Sequence, residues 1–107
     1  MGIASTNLKP PYYAVIFSSI KSSVAAEDYS LMANQMMELA SQQKGFLGVE
    51  SAREGAFGIT VSYWESLADI KAWKANTDHQ LAQQLGKEKW YEHYYTRICE
   101  VLREYEF

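Results

Sequence analysis

From Phe57 to Trp64 the side chains alternate. Phe57, Ile59, Val61 and Tyr63 fall on one side, and Gly58, Thr60, Ser62 and Trp64 on the other. Successive strand side chains point to opposite faces, so this period-two pattern with its β-branched content predicts a β-strand. Glu65 breaks the alternation and Ser66-Leu67-Ala68-Asp69 opens a helix. Ser66 is placed to cap the free amide three residues on, while Asp69 reaches back as in a capping box. Leu67, Ile70 and Trp73 follow at helical spacing and are expected to face the sheet. Thr77-Asp78-His79-Gln80 reads as a second box, which predicts a pause at Asn76 and a fresh helix start. Trp73 and His79 would then flank a helix junction and turn inward across one end of the sheet.

The remaining elements fall into place around this stretch. Residues 1–11 read as a flexible lead, closed by Pro10-Pro11, and 12–107 as a single domain. Tyr12 to Ile20 is a strand whose apolar residues are contiguous, which calls for cover on both faces. A helix over Ala26 to Lys44 carries Tyr29, Met32, Met36, Leu39 and Ala40 on one stripe. Gly45 suits a left-handed cap after it. Phe46 to Arg53 and the strand from Phe57 form a hairpin around Gly55. Asp78 to about Tyr94 reads as helical, with Leu81/Leu85 and Trp90/Tyr94 at i, i+4 and Gly86 as an interior weak point. Tyr95 to Tyr105 is the last strand, with Ile98 and Leu102 on one face and Cys99 and Val101 on the other. The order β-α-β-β-α-β is the ferredoxin-like α+β arrangement, a four-stranded antiparallel sheet with helices on one side. The uncovered side would expose more apolar surface than a soluble monomer tolerates, which predicts a homodimer through the sheet faces.

Composition narrows the function classes. The 107 residues carry a net charge of −3 and no basic run, which argues against a nucleic-acid partner. No apolar stretch approaches the length of a membrane helix, and the run from Tyr12 to Phe17 is too short for a secretory signal. One cysteine, Cys99, allows no internal disulfide and fits the cytoplasm. Met1-Gly2-Ile3-Ala4-Ser5-Thr6 matches the loose N-myristoylation pattern, but no basic patch follows it, so it reads as a polar tail.

Two histidines, His79 and His93, and one cysteine cannot assemble the strong zinc signatures, so no metal site is expected. Phosphate-binding glycine loops and nucleophile turns are missing too. Aromatic residues near polar groups remain. Trp64, Trp73 and Trp90 serve either as core or as pocket walls, with Trp73 the best placed for a pocket. His79 at a helix start either is held neutral by the helix dipole, able to accept a proton, or is an exposed histidine of the first helical turn with no role. Arg97, on an apolar strand, either holds an anionic or enolate group or pairs with a glutamate across strands. Lys87, Glu88 and Lys89 read as a solvated helix face.

GFLGVESARE and the stretch from Gly58 to Val101 resemble the antibiotic biosynthesis monooxygenase family of dimeric α+β barrels. Tyr63-Trp64-Glu65-Ser66, Trp73 and the Trp90, Tyr91, Tyr94 segment carry the likeness, which runs from about Tyr12 to Tyr105. The resemblance implies two ferredoxin-like units paired sheet to sheet. It also implies either cofactor-free oxygenation of polycyclic phenols and anthrones or haem degradation. Both kinds of member use a first-strand asparagine with a tryptophan that corresponds to Trp73. Here the matching strand reads Phe17-Ser18-Ser19, without the asparagine. The haem-binding histidine of the haem-degrading members corresponds to Gln83, and His79 falls short of it, so haem is the less favoured alternative. The expectation is a cofactor-independent, monooxygenase-like protein for a small aromatic compound. His79 or Tyr63 would be the base, Arg97 or Asn76 the anion holder, and Trp73, Trp64 and Ser18 the pocket lining. The alternative is a pocket that binds a small hydrophobic metabolite without turnover.

Overall fold

A computed structural model describes residues 8–22, 26–85 and 91–107, and for 26–33, 77–85 and 91 it describes the backbone only. The elements run β1 (Tyr12–Lys21), α1 (Ala26–Ser41), β2 (Phe46–Glu54), β3 (Phe57–Trp64), α2 (Leu67–Leu85) and β4 (Tyr91–Val101). They build one antiparallel sheet in the order β2-β3-β1-β4. This is the expected β-α-β-β-α-β architecture. Both helical crossovers join parallel strands that lie either side of a third, and right-handed crossovers put the two helices on the same face.

Pairing fixes which side chains share that face. Tyr13 lies opposite Trp64 and Glu100, and Val15 opposite Ser62 and Ile98. Trp64, Ser62, Gly58, Ser19 and Phe17 therefore point toward the helices. Tyr12, Ala14, Ile16, Ser18, Tyr63, Val61, Ile59 and Phe57 point to the open face. On the helix side Trp64, Ile70 and Ala40 are buried. On the open side Phe57 is 50% and Tyr95 54% exposed, with Ile20 and Ile59 also uncovered.

Local chemistry explains the junctions. Ser66 Oγ accepts from the Asp69 amide at 3.1 Å, the predicted cap, and the Asp69 carboxylate reaches back to accept from the Ser66 hydroxyl at 2.8 Å. The hairpin closes on Gly55-Ala56, with Gly55 at φ 60° and Arg53 donating to the Ala56 carbonyl at 2.9 Å. Gly45 adopts φ 84°, and a Cβ there would overlap the Asp69 carboxylate. Its carbonyl accepts from the Glu65 amide at 2.8 Å, so this glycine ties the loop before β2 to the cap of α2.

Four expectations need correction. Helix α1 ends at Ser41 rather than Lys44, because the Gln42 and Gln43 amides bond three residues back, to Leu39 and Ala40, and tighten the last turn. Gly45 is left-handed, but four residues past that end. Helix α2 is continuous through Asn76. The Asn76 amide donates to Gln43 Oε1 at 3.4 Å, across to the loop after α1, rather than competing for its own backbone. Strand β4 starts at Tyr91 and stops at Val101, so Tyr94 is on a strand rather than a helix, and Leu102 lies beyond the sheet. The pairing of β4 along all of β1 outweighs the helical spacing of its aromatics. Leu67, in the first turn of α2, is 55% exposed and does not face the sheet, while Ile70 does. The residues of the tail motif, Gly86, Lys87, Glu88, Lys89 and Trp90 lie outside the described residues, as do the side chains of Tyr29, Met32, Leu81 and Leu85.

Gly45→Ala is expected to lower the unfolding free energy by roughly 1–3 kcal/mol, because it places a Cβ at positive φ against Asp69. Urea denaturation checks this, with Gly55→Ala as comparison: there an added Cβ meets nothing within 4 Å and only the backbone strain remains.

Candidate functional site

On the helix side the focus is Trp64 at the end of β3. It has no exposed surface, and its indole N–H donates to Ser62 Oγ at 2.9 Å. Trp73 of α2 stacks on it with ring centres 6.1 Å apart and planes 24° apart, and Phe46 packs edge-on at 5.5 Å. Trp64 thus has nothing to offer a ligand directly. It is the support behind Trp73, not the second pocket wall expected of it. Trp73 is half-buried. Along the same face β1 and β4 bring Phe17 and Tyr94 together at 5.4 Å, with Ser19 buried beside them. The register sets this strip four to six residues along β1 from Tyr13, the partner of Trp64, so it lies away from the Trp64–Trp73 pair.

Ser18, Tyr63 and Arg97 sit on the other face. The register alone puts Ser18 opposite Ile59 and Tyr95, away from Trp73, and it cannot line a Trp73 pocket. Tyr63 donates its hydroxyl to Glu50 at 2.6 Å, and Tyr12 donates to Glu104 at 2.7 Å. The two phenol rings meet edge to face at 5.8 Å. Burial, then the hydrogen bond to Glu104 and the charge of that carboxylate, push the Tyr12 phenol up to about 12. Burial and Glu50 raise Tyr63 as well. Tyr63 is therefore held as a neutral donor, the opposite of what a base requires. Arg97 lies over the Tyr95 ring at 5.1 Å, and His93 packs against Tyr95 at 4.7 Å.

The expected constellation is consequently divided by the sheet. Trp73, Trp64 and Asn76 belong to the helix side, and Tyr63, Arg97 and Ser18 to the open side. His79 lies on α2, where six residues of unbroken helix carry its Cα about 240° around the axis from Trp73. The expected junction that was to turn both inward is not there, and the His79 and Gln83 side chains lie outside the described residues. Asn76 is exposed and engaged with Gln43. Ser19, Glu50, Tyr12 and Glu104 were missed. Parity of the first strand would have marked Ser19, but the Tyr12–Glu104 contact spans 92 residues and leaves no local signal. A shallow depression of about 300 Å³ lies on the outer side of α1, lined by Gln35, Glu38, Leu39 and Gln42, with none of the candidates in it. Among the described residues no group of three His, Cys, Asp or Glu could hold a metal, and no helix is long and apolar enough to cross a membrane.

Comparison with known proteins gives this geometry its context. The model of the antibiotic biosynthesis monooxygenase family matches residues 11–85. The chain belongs to that family. The matched span runs from β1 through α2 and stops before β4, so Trp64 and Trp73 lie within it and Arg97 lies beyond it. The uncharacterized protein YqjZ of Bacillus subtilis (strain 168) is 49% identical over 105 residues, 97% of this chain and 91% of that relative. Solved structures share the family fold at low identity. A Bordetella bronchiseptica protein provisionally named an antibiotic biosynthesis monooxygenase is 18% identical, with a TM-score of 0.67 over 87% of this chain and 99% of its own. A Nitrosomonas europaea protein with the same provisional name is 14% identical, with a TM-score of 0.71 over 89% and 94%. PA3566 of Pseudomonas aeruginosa, at 15%, gives 0.68 over 92% and 100%.

The paired phenols have a measurable signature. A phenol whose folded pKa is raised contributes stability that is complete below the unfolded value near 10 and lost as pH climbs toward the folded value. For Tyr12 that window is pH 10 to about 12. Urea midpoints are expected to fall across it, and the fall is expected to be shallower in the Tyr12→Phe, Tyr63→Phe double variant.

Proposed function

We propose that this chain binds a small, flat aromatic compound on the helix side of its sheet and oxygenates it without a cofactor. The observation that carries the reading is Trp73, half-buried and oriented by its stack on the fully buried Trp64. A ring so anchored gives a flat ligand a stacking partner at little entropic cost. Asn76, three residues along α2 from Trp73 and exposed, is the group of this reading that holds a phenolate oxygen.

The chemistry suits an electron-rich phenol or anthrone. Removal of a proton leaves an anion that gives one electron to O₂. Recombination forms a carbon–oxygen bond, and loss of water from the peroxide leaves a carbonyl, so one CH₂ and one O₂ become one C=O and one H₂O. The substrate supplies all four electrons that O₂ takes up. The protein contributes a base, a group that holds the anion and a site from which water is excluded. In this reading His79 is the base.

A second reading is binding without turnover. It is favoured by the division of the candidates: Tyr63 and Arg97, a candidate base and a candidate anion holder, stand on the opposite face from Trp73, and the Asn76 amide is engaged with Gln43. Oxygen uptake with a panel of hydroxylated polycyclic aromatics separates the two. The oxygenase reading expects uptake with one carbonyl formed per O₂, lost in His79→Gln while ligand quenching of tryptophan fluorescence persists. Tight quenching with no uptake leaves the binding reading. Trp73→Ala is expected to weaken binding by roughly tenfold or more in both, the loss of a stacking contact of about 1–2 kcal/mol. Undiminished binding in that variant overturns the site itself.

A further inference from the structure

The two carboxylate-bonded phenols of the open face and the thiol of Cys99 take no part in the site at Trp73, yet they form one series with it. Trp73 stacks on Trp64 at 6.1 Å, and Trp64 is preceded on β3 by Tyr63, one peptide unit away. Tyr63 meets Tyr12 edge to face at 5.8 Å. Tyr12 pairs with Val101 and Ala14 with Cys99, so Cys99 is a diagonal neighbour of Tyr12 on the same face, a separation of about 7–8 Å. The small Ala14 lies between Cys99 and Tyr63 in their common row. The series begins at the half-buried Trp73 and ends at the exposed Cys99, with Trp64 and Tyr12 buried between them.

A ligand meets the two faces of the sheet separately, but an electron needs no contact, and the sheet is one backbone thick. Transfer falls off steeply with distance, so closely spaced rings carry an oxidising equivalent faster than one long jump. Trp64 bonds its N–H to a serine, a poor proton acceptor, so a radical cation there is not trapped by proton loss. An oxidised phenol is a strong acid and needs a base for its proton. Tyr63 donates to Glu50 at 2.6 Å and Tyr12 to Glu104 at 2.7 Å, so each has that base in place. Tyr13, the cross-strand partner of Trp64, makes no such bond among the described residues. We propose that Trp73, Trp64, Tyr63, Tyr12 and Cys99 form a relay that draws oxidising equivalents away from the aromatic site and ends them on the thiol. Its protective use rests on the oxygenase reading; the transfer itself does not.

In that reading the oxidant is a substrate peroxyl radical, which gains an electron from Trp73 and a proton from water and leaves as a hydroperoxide. Trp64 passes an electron to Trp73. Tyr63 then passes one to Trp64, and its phenolic proton moves to Glu50. Tyr12 reduces Tyr63, which recovers its proton from Glu50, while the Tyr12 proton moves to Glu104. Cys99 gives an electron to Tyr12 and a proton to water, and Glu104 returns the Tyr12 proton. The sum is one peroxyl radical and one thiol converted to one hydroperoxide and one thiyl radical, with every ring restored. A soluble thiol returns a hydrogen atom to the exposed sulfur.

Pulse radiolysis without substrate tests the relay, with azide radical as the oxidant of tryptophan at neutral pH, and its result is independent of the oxygen-uptake assay. The Trp90→Phe background confines the first radical to Trp73 and Trp64. Tryptophyl absorption is expected to decay as tyrosyl absorption grows, at a rate independent of protein concentration, with loss of free thiol afterwards. Tyr63→Phe is expected to remove this fast phase and Tyr13→Phe to leave it. Glu50→Gln is expected to slow it at least about tenfold, because the base for the phenolic proton is gone. Tyr12→Phe is expected to prolong the tyrosyl signal and spare the thiol. Far-UV circular dichroism monitors the folding of each variant. Should Trp90→Phe unfold, Trp73→Phe in the native chain is expected to lower the tyrosyl yield instead. A fast phase that survives Tyr63→Phe, vanishes in Tyr13→Phe or is unchanged in Glu50→Gln overturns the proposal. So does thiol loss undiminished in Tyr12→Phe, or a tyrosyl yield undiminished in Trp73→Phe.

Discussion

A buried indole N–H must find an acceptor, and in this domain that requirement falls on Trp64. Ser62, two residues earlier and on the same side of β3, supplies the acceptor from within the strand. With its polar atom satisfied, the ring is free to serve as the surface on which everything on the helix side is assembled. Trp73 stacks on it from α2, Phe46 meets its edge from β2, and the chain turns directly after it into the Ser66 cap. Loss of this ring would cost the domain more than a cavity, since the plane of Trp73 depends on it.

The sheet itself is the second constraint. Because side chains alternate strictly, neighbours such as Tyr63 and Trp64 are as separate for a ligand as residues of different elements. One looks into a carboxylate-bonded phenol cluster on the open face, the other into the aromatic packing under α2. The domain thus has two differently equipped surfaces, one aromatic and one that mixes charge with apolar residues.

What could be read from the sequence was what local chemistry decides. The β3 alternation, the Ser66 cap of the Asp69 amide and the turn at Gly55 all rest on residues within a few positions of one another. The misread features depend on distant partners. Asn76 looks like a helix stop until its amide is seen to reach Gln43, 33 residues earlier. Tyr91 to Tyr94 carry helical spacing, and only pairing with β1 makes them a strand. The site shows the same split. The helical spacing of Trp73 with Ile70 turns it toward the sheet, where it stacks on Trp64, and the separation of Tyr63 from it is implicit in the β3 parity. The bond from Tyr12 to Glu104 had no local trace at all.

The sheet order has a bearing on how the chain is made. The strand that leaves the ribosome first, β1, takes an interior place between β3 and β4. Neither neighbour exists when it emerges, and its β3 partners begin only at Phe57. A nascent chain therefore carries an apolar segment with two unpaired edges through the synthesis of a helix and another strand. Closing it needs non-local contacts, whose loop entropy slows pairing and prolongs exposure to misassociation. The β2–β3 hairpin, whose two-residue turn forms quickly, is the first docking edge that β1 meets. Its speed of closure governs how long that strand stays unprotected.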